Sequence, residues 1–157
     1  MNHTVTAREM MVSNLVTLSP DMDALDAIDV LLKHKISGAP VVDSNGRFLG
    51  IFSEKSCMQF IVGVTYEQLP STSVMSFVLK DPPTITEETD MLSIAQKFLD
   101  GACRRLPVLD EAGRLVGQIS RRDLMRVLQH QMRSKDSVKT GGGPYFSALN
   151  ASQDRPV

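Results

Sequence analysis

The chain has 157 residues, enough for about one domain, and 42 % of them are hydrophobic. Its formal net charge is −1 at pH 7, so no overall basic field would attract nucleic acid. No stretch approaches the roughly 18 apolar residues of a membrane helix, and the N-terminus lacks the apolar core of a signal peptide. The two cysteines have no C-x-x-C spacing and the three histidines are scattered, so we expect a cytoplasmic protein without a metal site.

In the first half, the pattern predicts a strand–helix–strand–strand–helix unit, preceded by a short helix over residues 6–12. We expect an extended segment at 16–18, a helix over 23–35, strands at 39–43 and 48–52, and a helix from Ser53 to about Val62. The Asn45-Gly46 pair between the two apolar strands indicates a hairpin. Leucine and isoleucine recur at helical spacing in the first of these helices, and we expect this stripe to face the core: Leu25, Ile28, Leu31 and Leu32.

The second half repeats this order. After a connection at 64–73, in which residues 66–69 form a turn of helix, we expect a strand at 84–86, a helix over 90–100, strands at 106–110 and 115–119, and a helix from Ser120 to about Arg133. The inward face of the 90–100 helix is predicted to consist of Leu92, Ala95, Phe98 and Leu99. Residues 134–157 show no apolar periodicity, and we expect this tail to be flexible.

Two passages of the chain match without a gap at a distance of 67 residues, one over 37–53 and the other over 104–120. Pro, Val, Asp, Gly, Arg, Gly and Ser recur at matched positions, and the register holds from Thr17/Thr84 to Met58/Met125. A repeat of this kind indicates one supersecondary unit used twice. Two such units would bury their apolar faces on each other and enclose clefts between them.

The doubled Pro-Val-Val-Asp…Gly…Gly-Ile-Phe-Ser pattern resembles the CBS-domain family, and the tandem pair resembles a Bateman module. The resemblance implies an α/β (α+β) fold in which two β-α-β-β-α repeats, at 8–63 and 74–133, pack with pseudo-twofold symmetry. It also implies clefts between the repeats for adenosine-type ligands, such as AMP, ADP, ATP or S-adenosylmethionine. Modules of this family commonly form head-to-head or head-to-tail dimers and regulate an attached or partner protein.

Ser120 and Asp123 are the sharpest candidates for a site, because they stand where a strand ends and a helix begins. Ser-x-x-Asp is also a capping signature that merely starts a helix. A carboxylate at this place can instead accept hydrogen bonds from both hydroxyls of a ribose. The resemblance favours the second interpretation, since the family's ribose-binding carboxylate occupies the position of Asp123.

The resemblance implies that this site borrows residues from the other repeat. It places Asn14 and Val16 around the adenine and Ile36 and Ser37 in the adjoining wall. Basic residues that bind phosphate in the family match Arg104 and Arg105. Adjacent residues alternate in direction along a strand, so by this alternative at most one of the two faces the cleft and the other forms a surface salt bridge. Arg122 flanks the helix start, and a solvated surface charge is its alternative role.

The first repeat departs from this pattern, because Ser56 stands where the carboxylate should be. A serine offers a single hydroxyl and no charge, so we predict two unequal sites. The second, degenerate site would consist of Ser53, Ser56, Pro83 and Cys103.

The leading functional hypothesis is a non-catalytic sensor that binds an adenosine-type ligand, with Mg²⁺ as a conceivable companion of the nucleotide. It would act as a homodimer on an unknown effector protein. The alternative is a module that dimerises or scaffolds without any ligand. Nucleic-acid binding rests on a local arginine cluster without interleaved aromatics, and no positioned acid–base pair indicates an enzyme.

Overall fold

The computed structural model describes residues 3–66 and 72–138. Its first repeat contains α2 (Ala24–His34), β1 (Gly38–Val42), β2 (Phe48–Ser53) and α3 (Glu54–Tyr66), preceded by the four-residue helix α1 (Ala7–Met10). The second contains β3 (Ile85–Thr86), α4 (Met91–Asp100), β4 (Arg105–Leu109), β5 (Leu115–Ser120) and α5 (Arg121–Val138), preceded by a 3₁₀ turn (Val74–Ser76). The architecture is the expected mixture of helix and strand in two matched units.

The sheets differ slightly between the two repeats. In the second repeat, β3 runs parallel to β4, which pairs with β5 in an antiparallel hairpin. In the first repeat, β1 and β2 form the same hairpin, but the strand expected at 16–18 is reduced to a parallel bridge between Leu18 and Val41. Both hairpins carry an irregularity at the same place, at Val41/Val42 and at Val108/Leu109. The repeated sequence therefore folds into repeated structure down to its bulges.

An aspartate begins the first helix of each repeat. The Asp23 carboxylate accepts a hydrogen bond from the backbone N–H of Leu25 at 2.8 Å, and the Asp90 carboxylate accepts one from the N–H of Ser93 at 3.2 Å. Such side chains satisfy the free N–H groups of a helix start. The predicted helix starts at residues 23 and 90 therefore correspond to the N-caps of α2 and α4.

The contacts between the repeats show a pseudo-twofold relation. Isolated bridges join Thr6 to Asp90 and Asp23 to Ser73, Val12 to Gln118 and Ile51 to Leu79. Each bridge is converted into its mate by adding 67 to the residue number in the first repeat and subtracting 67 from the residue number in the second. The bridge between Arg47 and Arg114 is its own mate, so the two hairpin tips meet on the pseudo-twofold axis.

Each repeat has its own apolar core, and the segments at the starts of the two repeats are exchanged between them. Val74 and Phe77, at the start of the second repeat, are buried in the core of the first. Ala7 and Met10, at the start of the first repeat, are buried in the core of the second. We call residues 6–12 and 73–79 the two arms. The repeat boundaries at 8–63 and 74–133 remain a sequence prediction, and the arms show that the cores do not follow them.

The predicted apolar stripes of α2 and α4 are partly wrong. Leu25 and Leu32 are 58 % and 71 % exposed, and their counterparts Leu92 and Leu99 are each 79 % exposed. The buried side of α2 instead consists of Ala24, Ala27 and Leu31, and that of α4 of Ile94 and Phe98. Leu25 and Leu32 each follow a buried residue directly, so they are turned by about 100° around the helix from the core.

Both second helices are longer than predicted. Helix α3 continues through Tyr66 instead of ending near Val62, and α5 continues through Val138 instead of ending near Arg133. Residues 134–138, predicted as part of the flexible tail, are therefore helical. Residues 139–157 of the predicted tail and residues 67–69 of the predicted helical turn lie outside the described residues.

Candidate functional site

A cleft of about 630 Å³ lies between the two repeats. Its volume falls within the roughly 300–1,000 Å³ of small-molecule sites. The nine residues that the sequence suggested for a ligand all line it: Asn14, Val16, Ile36, Ser37, Arg104, Arg105, Ser120, Arg122 and Asp123. Residues from both repeats thus meet at one concave surface, which we call the first cleft.

Ser120 and Asp123 form a reciprocal cap where β5 passes into α5. The Asp123 carboxylate accepts hydrogen bonds through Oδ2 from the Ser120 backbone N–H at 2.8 Å and from the Ser120 hydroxyl at 3.0 Å. The Asp123 N–H donates to Ser120 Oγ at 3.3 Å. The capping interpretation of this motif is therefore correct as far as the protein's own contacts go. Because Asp123 also lines the cleft, capping does not exclude a ligand.

The other carboxylate oxygen of Asp123 is less constrained. Oδ1 accepts one hydrogen bond, at 3.3 Å, from the exposed guanidinium of Arg126 one turn along α5. The Asp123 side chain is 12 % exposed, so it is largely shielded but reachable from the cleft. A carboxylate oxygen has room for two acceptor bonds. Oδ1 can therefore receive a hydroxyl while Oδ2 keeps the helix cap in place.

Four arginines line the first cleft beside that single carboxylate, which makes the surface favourable for an anion: Arg104, Arg105, Arg121 and Arg122. Arg105 is half-buried and donates to the Gly38 carbonyl of the first repeat at 3.2 Å. Arg121 is partly used elsewhere, since it donates to the Phe98 carbonyl at 3.4 Å and lies over the Phe98 ring. Arg104 and Arg122 are exposed. Both Arg104 and Arg105 line the cleft, so the expectation that at most one would face it is wrong. Strand β4 begins at Arg105, and the alternation of a strand does not apply to Arg104.

The sequence did not indicate several residues of this cleft, among them Val12, Leu15, Pro40 and Gln118. Val12 and Gln118 exchange both backbone hydrogen bonds, at 2.9 and 3.0 Å, which closes one end of the cleft with the first arm. The repeat register could have indicated this contact. Adding 67 to Val12 gives Leu79 and subtracting 67 from Gln118 gives Ile51, and the bridge between Ile51 and Leu79 is the mate of this contact on the other side of the axis.

A second, smaller cleft of about 390 Å³ lies across the pseudo-twofold axis. Of the four residues predicted for it, Ser53, Pro83 and Cys103 line it. The prediction for Ser56 is wrong in its placement, because this residue is 3 % exposed and is not among the lining residues. Its hydroxyl accepts a hydrogen bond from the Ser53 backbone N–H at 3.1 Å, so the short side chain serves as a helix cap.

The two clefts share a wall made of Ser37, Gly38, Arg104, Arg105 and Gln118. The repeat register relates Ser37 to Arg104 and Gly38 to Arg105, so both arginines of this wall belong to the second repeat. The first cleft adds the acidic Asp123, and the second adds Glu54 and Lys55 at the exposed start of α3. The two clefts are therefore alike in frame and different in chemistry.

The remaining titratable groups have structural explanations. Cys57 is buried in the first core, and burial raises the pKa of its thiol. Among residues 3–66 and 72–138, no group of three or more His, Cys, Asp and Glu side chains could hold a metal ion. In the same part of the chain, no helix has the length and apolar character needed to cross a membrane.

Comparison with known sequences gives a family and a set of enzymes. The family model of the CBS domain matches the chain twice, over residues 7–63 and 74–130. Inosine-5'-monophosphate dehydrogenase of Aquifex aeolicus (strain VF5) is 30 % identical over 129 residues, which are 82 % of this chain and 25 % of the enzyme. The enzyme of Mycobacterium tuberculosis (strain H37Rv) is 33 % identical, and its match covers 88 % of this chain and 27 % of the enzyme. The chain thus spans about a quarter of the length of these two curated relatives.

Comparison with solved structures gives the same fold. CBSX2 in complex with AMP aligns with a TM-score of 0.73 at 24 % identity, over 81 % of this chain and 98 % of that one. CBSX2 is a CBS-pair protein from Arabidopsis thaliana. The CBS domain pair of protein MJ0100, solved with 5-methylthioadenosine and S-adenosyl-L-methionine, aligns with a TM-score of 0.68 at 19 % identity, over 82 % and 99 % of the two chains. At this level of identity the likeness shows a shared fold.

Proposed function

The chain belongs to the CBS-domain family as a tandem pair of CBS domains, and we propose that it is a non-catalytic sensor for an adenosine-type ligand. The ligand occupies the first cleft. The observation that carries the proposal is the position of Asp123, a shielded carboxylate with a free acceptor site in a cleft lined by arginines.

The residues of the first cleft divide among the parts of such a ligand. Asp123 Oδ1 accepts hydrogen bonds from the ribose hydroxyls, and Ser120 continues to cap the start of α5. Asn14, Val16, Ile36 and Ser37 are uncharged lining residues, and we assign the adenine to them. The phosphates lie toward Arg104, Arg105 and Arg122. A positive surface next to a single acceptor suits a molecule that is anionic at one end and hydroxylated in the middle.

The solved relatives support an adenosine-type ligand. CBSX2 was solved with AMP, and the MJ0100 pair with methylthioadenosine and S-adenosyl-L-methionine. These three compounds share adenosine and differ in charge and in what is attached to the ribose. The four arginines of the first cleft favour the anionic members of this class. We therefore propose AMP, ADP or ATP ahead of S-adenosylmethionine, which carries a sulfonium cation.

A thermal-shift panel tests the proposal. AMP, ADP, ATP, NAD and S-adenosylmethionine are each added to the purified chain. A ligand at 100 times its Kd stabilises the folded state by about 2.7 kcal/mol, which raises Tm by several degrees. Asp123→Asn keeps the shape of the helix cap and removes the charge, so it should weaken binding about 10- to 100-fold. Ser56→Ala, at the matched position of the other repeat, should leave binding unchanged. Equal loss in both variants, or none in Asp123→Asn, contradicts the assignment.

A second comparison separates phosphate recognition from nucleoside recognition. Arg105→Met removes the charge and retains much of the side-chain volume. It should reduce the affinity for AMP toward that of adenosine and leave adenosine binding nearly unchanged. An equal loss for both ligands would mean that Arg105 acts through its bond to Gly38 and holds the repeats together. Calorimetric titration of the two ligands against both proteins measures the difference.

The competing function is a scaffold that associates without a ligand. The large apolar side chains exposed on α2 and α4 favour it, and so does the serine that stands at position 56 of the first repeat, where the second repeat has Asp123. It predicts no thermal shift with any member of the panel. It also predicts that Asp123→Asn leaves the association with partners unchanged.

The target of the module is also a proposal. The dehydrogenases extend well beyond the matched quarter, and we propose that this module regulates an effector protein. The thiols of the module suit a reducing cytosol. Mg²⁺ enters the proposal as the counterion of a triphosphate, and titrations of ATP with and without EDTA test it.

A further inference from the structure

The two clefts draw on the same two central arginines. Arg104 and Arg105 line both clefts, and we call them the shared pair. Their register mates Ser37 and Gly38 also line both clefts, but they carry no charge. Arginine at these positions in both repeats would give each cleft a pair of its own. In this chain, one pair of guanidinium groups has to serve two clefts.

Arg105 already reaches from its own repeat into the other. Its Nη1 donates to the Gly38 carbonyl at 3.2 Å. Gly38 has no side chain, and a Cβ there would lie only 3.2 Å from the Phe52 carbonyl oxygen. The first repeat therefore contributes a carbonyl acceptor, and no cation, at the matched position. A guanidinium has five N–H donors, so the bond to Gly38 leaves donors for an anion.

The charges that belong to one cleft alone are unequal. Apart from the shared pair, the first cleft has Arg121 and Arg122 against Asp123. The second cleft has Lys55 against Glu54, so its own charges cancel. The excess positive charge of the second cleft thus comes entirely from the shared pair. An anion in the second cleft has to use these two arginines.

The carboxylates of the two clefts favour different anions. Asp123 is held in place by its helix cap and is 12 % exposed, so it repels a phosphate that brings no hydroxyl group to it. Glu54 is exposed at the start of α3, and its side chain can turn into the solvent. The first cleft therefore favours a phosphate attached to a ribose. The second cleft, of about 390 Å³, suits a compact phosphate anion without one.

We propose that the second cleft binds a compact oligophosphate such as pyrophosphate, and that this anion competes with the nucleotide in the first cleft for the shared pair. The competition rests on the proposed function, because the nucleotide is one of the two competitors. Two phosphates on either side of one pair of arginines also repel each other. Linkage requires that each ligand weakens the other by the same factor. The second cleft is thus an inhibitory site that releases the nucleotide when oligophosphate accumulates.

A tethered anion tests the competition. Cys103 lines the second cleft only and is half-buried, whereas Cys57 is buried. Iodoacetate adds a carboxylate to the Cys103 thiol and iodoacetamide a neutral group of similar size, and mass spectrometry confirms the single label. The carboxylate should lower the affinity for AMP about fivefold or more and leave the affinity for adenosine unchanged. The neutral label should change neither. Equal AMP affinities of the two labelled proteins overturn the competition.

Pyrophosphate tests the second site itself. Lys55 and Arg122 are register mates, and each lines only one cleft, the second and the first respectively. Lys55→Met should weaken the binding of pyrophosphate, measured by calorimetry, about tenfold. Arg122→Met is the matched control and should weaken it far less. Both residues are exposed, so neither substitution disturbs a core.

The outcomes separate the second site from the proposed function. Pyrophosphate that does not bind the wild type, or that loses more affinity in Arg122→Met than in Lys55→Met, overturns the second site. In the wild type, pyrophosphate should raise the apparent Kd of AMP, and Lys55→Met should reduce this effect. A wild type that binds pyrophosphate through Lys55 but does not bind AMP supports the second site, and it refutes both the proposed function and the competition.

Discussion

At the scale of single residues, Asp123 and Ser56 show how one position can diverge within a repeat. Both cap the second helix of their repeat through a serine three residues earlier. The aspartate is long enough to cap with one oxygen and to present the other to the cleft. The serine has a single oxygen, which the cap already uses, and it is buried. The same backbone position therefore presents an acceptor to the first cleft and a buried serine behind the second.

A pair of matched glycines shows a second inequality. Gly50 has φ +149°, and a Cβ there would lie 2.3 Å from Val78 Cγ1 and 2.4 Å from the backbone oxygen of Leu79. Its mate Gly117 would place a Cβ 2.5 Å from Met11 Sδ, and the rest of its close contacts belong to the same side chain. Methionine is flexible and can move aside, whereas the backbone of the second arm at Leu79 is held by its bridge to Ile51.

We therefore predict that Gly50→Ala destabilises the protein far more than Gly117→Ala. Backbone strain and overpacking each cost about 1–3 kcal/mol, and both apply to Gly50. For Gly117 only the overpacking applies, at the lower end of about 1–3 kcal/mol. Urea unfolding of both variants measures the difference. Equal losses would mean that the second arm yields as readily as a methionine side chain.

At the scale of elements, the exchanged arms hold the two repeats together. Met10 is 7 % exposed in the core of the second repeat, although it lies about 75 residues before the start of that repeat's β3 along the chain. Arg8, in the same short helix, pairs with Glu87 and Glu88 on the surface. The arm therefore has a buried anchor and an exposed one, which can be tested separately.

Met10→Ala should lower the free energy of unfolding by about 2–5 kcal/mol, the range for truncation of a buried methionine. Arg8→Ala should change it little, because exposed ion pairs contribute little. Native-state hydrogen exchange should show the loss in Met10→Ala at β4 and β5 of the second repeat. Loss confined to residues before Val16 would contradict the exchange of arms.

The N-cap of α4 predicts a dependence on pH. Hydrogen bonds from Ser93 lower the pKa of Asp90. A carboxylate with a lowered pKa in the folded state stabilises that state above its unfolded pKa, and the contribution is lost as the pH falls through the folded value. Asp90→Ala should therefore be less stable than the wild type at pH 7, and the difference should shrink below about pH 4. A difference that is constant from pH 7 to pH 3 would assign it to the shape of the cap alone. Urea unfolding across this range measures it.

Much of the arrangement of helices and strands could be predicted from the sequence. The spacing of the apolar residues, the helix-capping residues and the Asn45-Gly46 turn predicted the main helices and hairpins, because these signals are local. The exposure of Leu25 and Leu32 could not be predicted, since alanines at 24 and 27 take the core positions that leucine spacing suggested. The arms were equally inaccessible. The bridges of the first arm join residues 84 and 106 positions apart and those of the second arm residues 50 and 28 positions apart, and a single sequence shows such pairings only through the repeat register.

At the scale of the whole molecule, duplication provides two similar clefts and divergence makes them unequal. The repeat and the family resemblance together proposed nine residues for the first cleft, and all nine line it. Of the four residues proposed for the second cleft, three line it. Ser56 was misplaced because residue type alone does not show whether a side chain points into a cleft or into its own helix cap. The contact between Arg105 and Gly38 in the shared wall was not predicted, because it depends on how the two repeats pack.

Asp123 lines the first cleft with an acceptor site still open on Oδ1, and the matched Ser56 does not line the second cleft. The central claim is therefore one adenosine-type ligand per chain, held at Asp123. Isothermal titration of AMP into the wild-type chain and Asp123→Asn tests this claim most directly. The account predicts a stoichiometry of one per chain for the wild type and an affinity about 10- to 100-fold lower for the variant. Two equivalent sites per chain, or an isotherm that Asp123→Asn leaves unchanged, would contradict it.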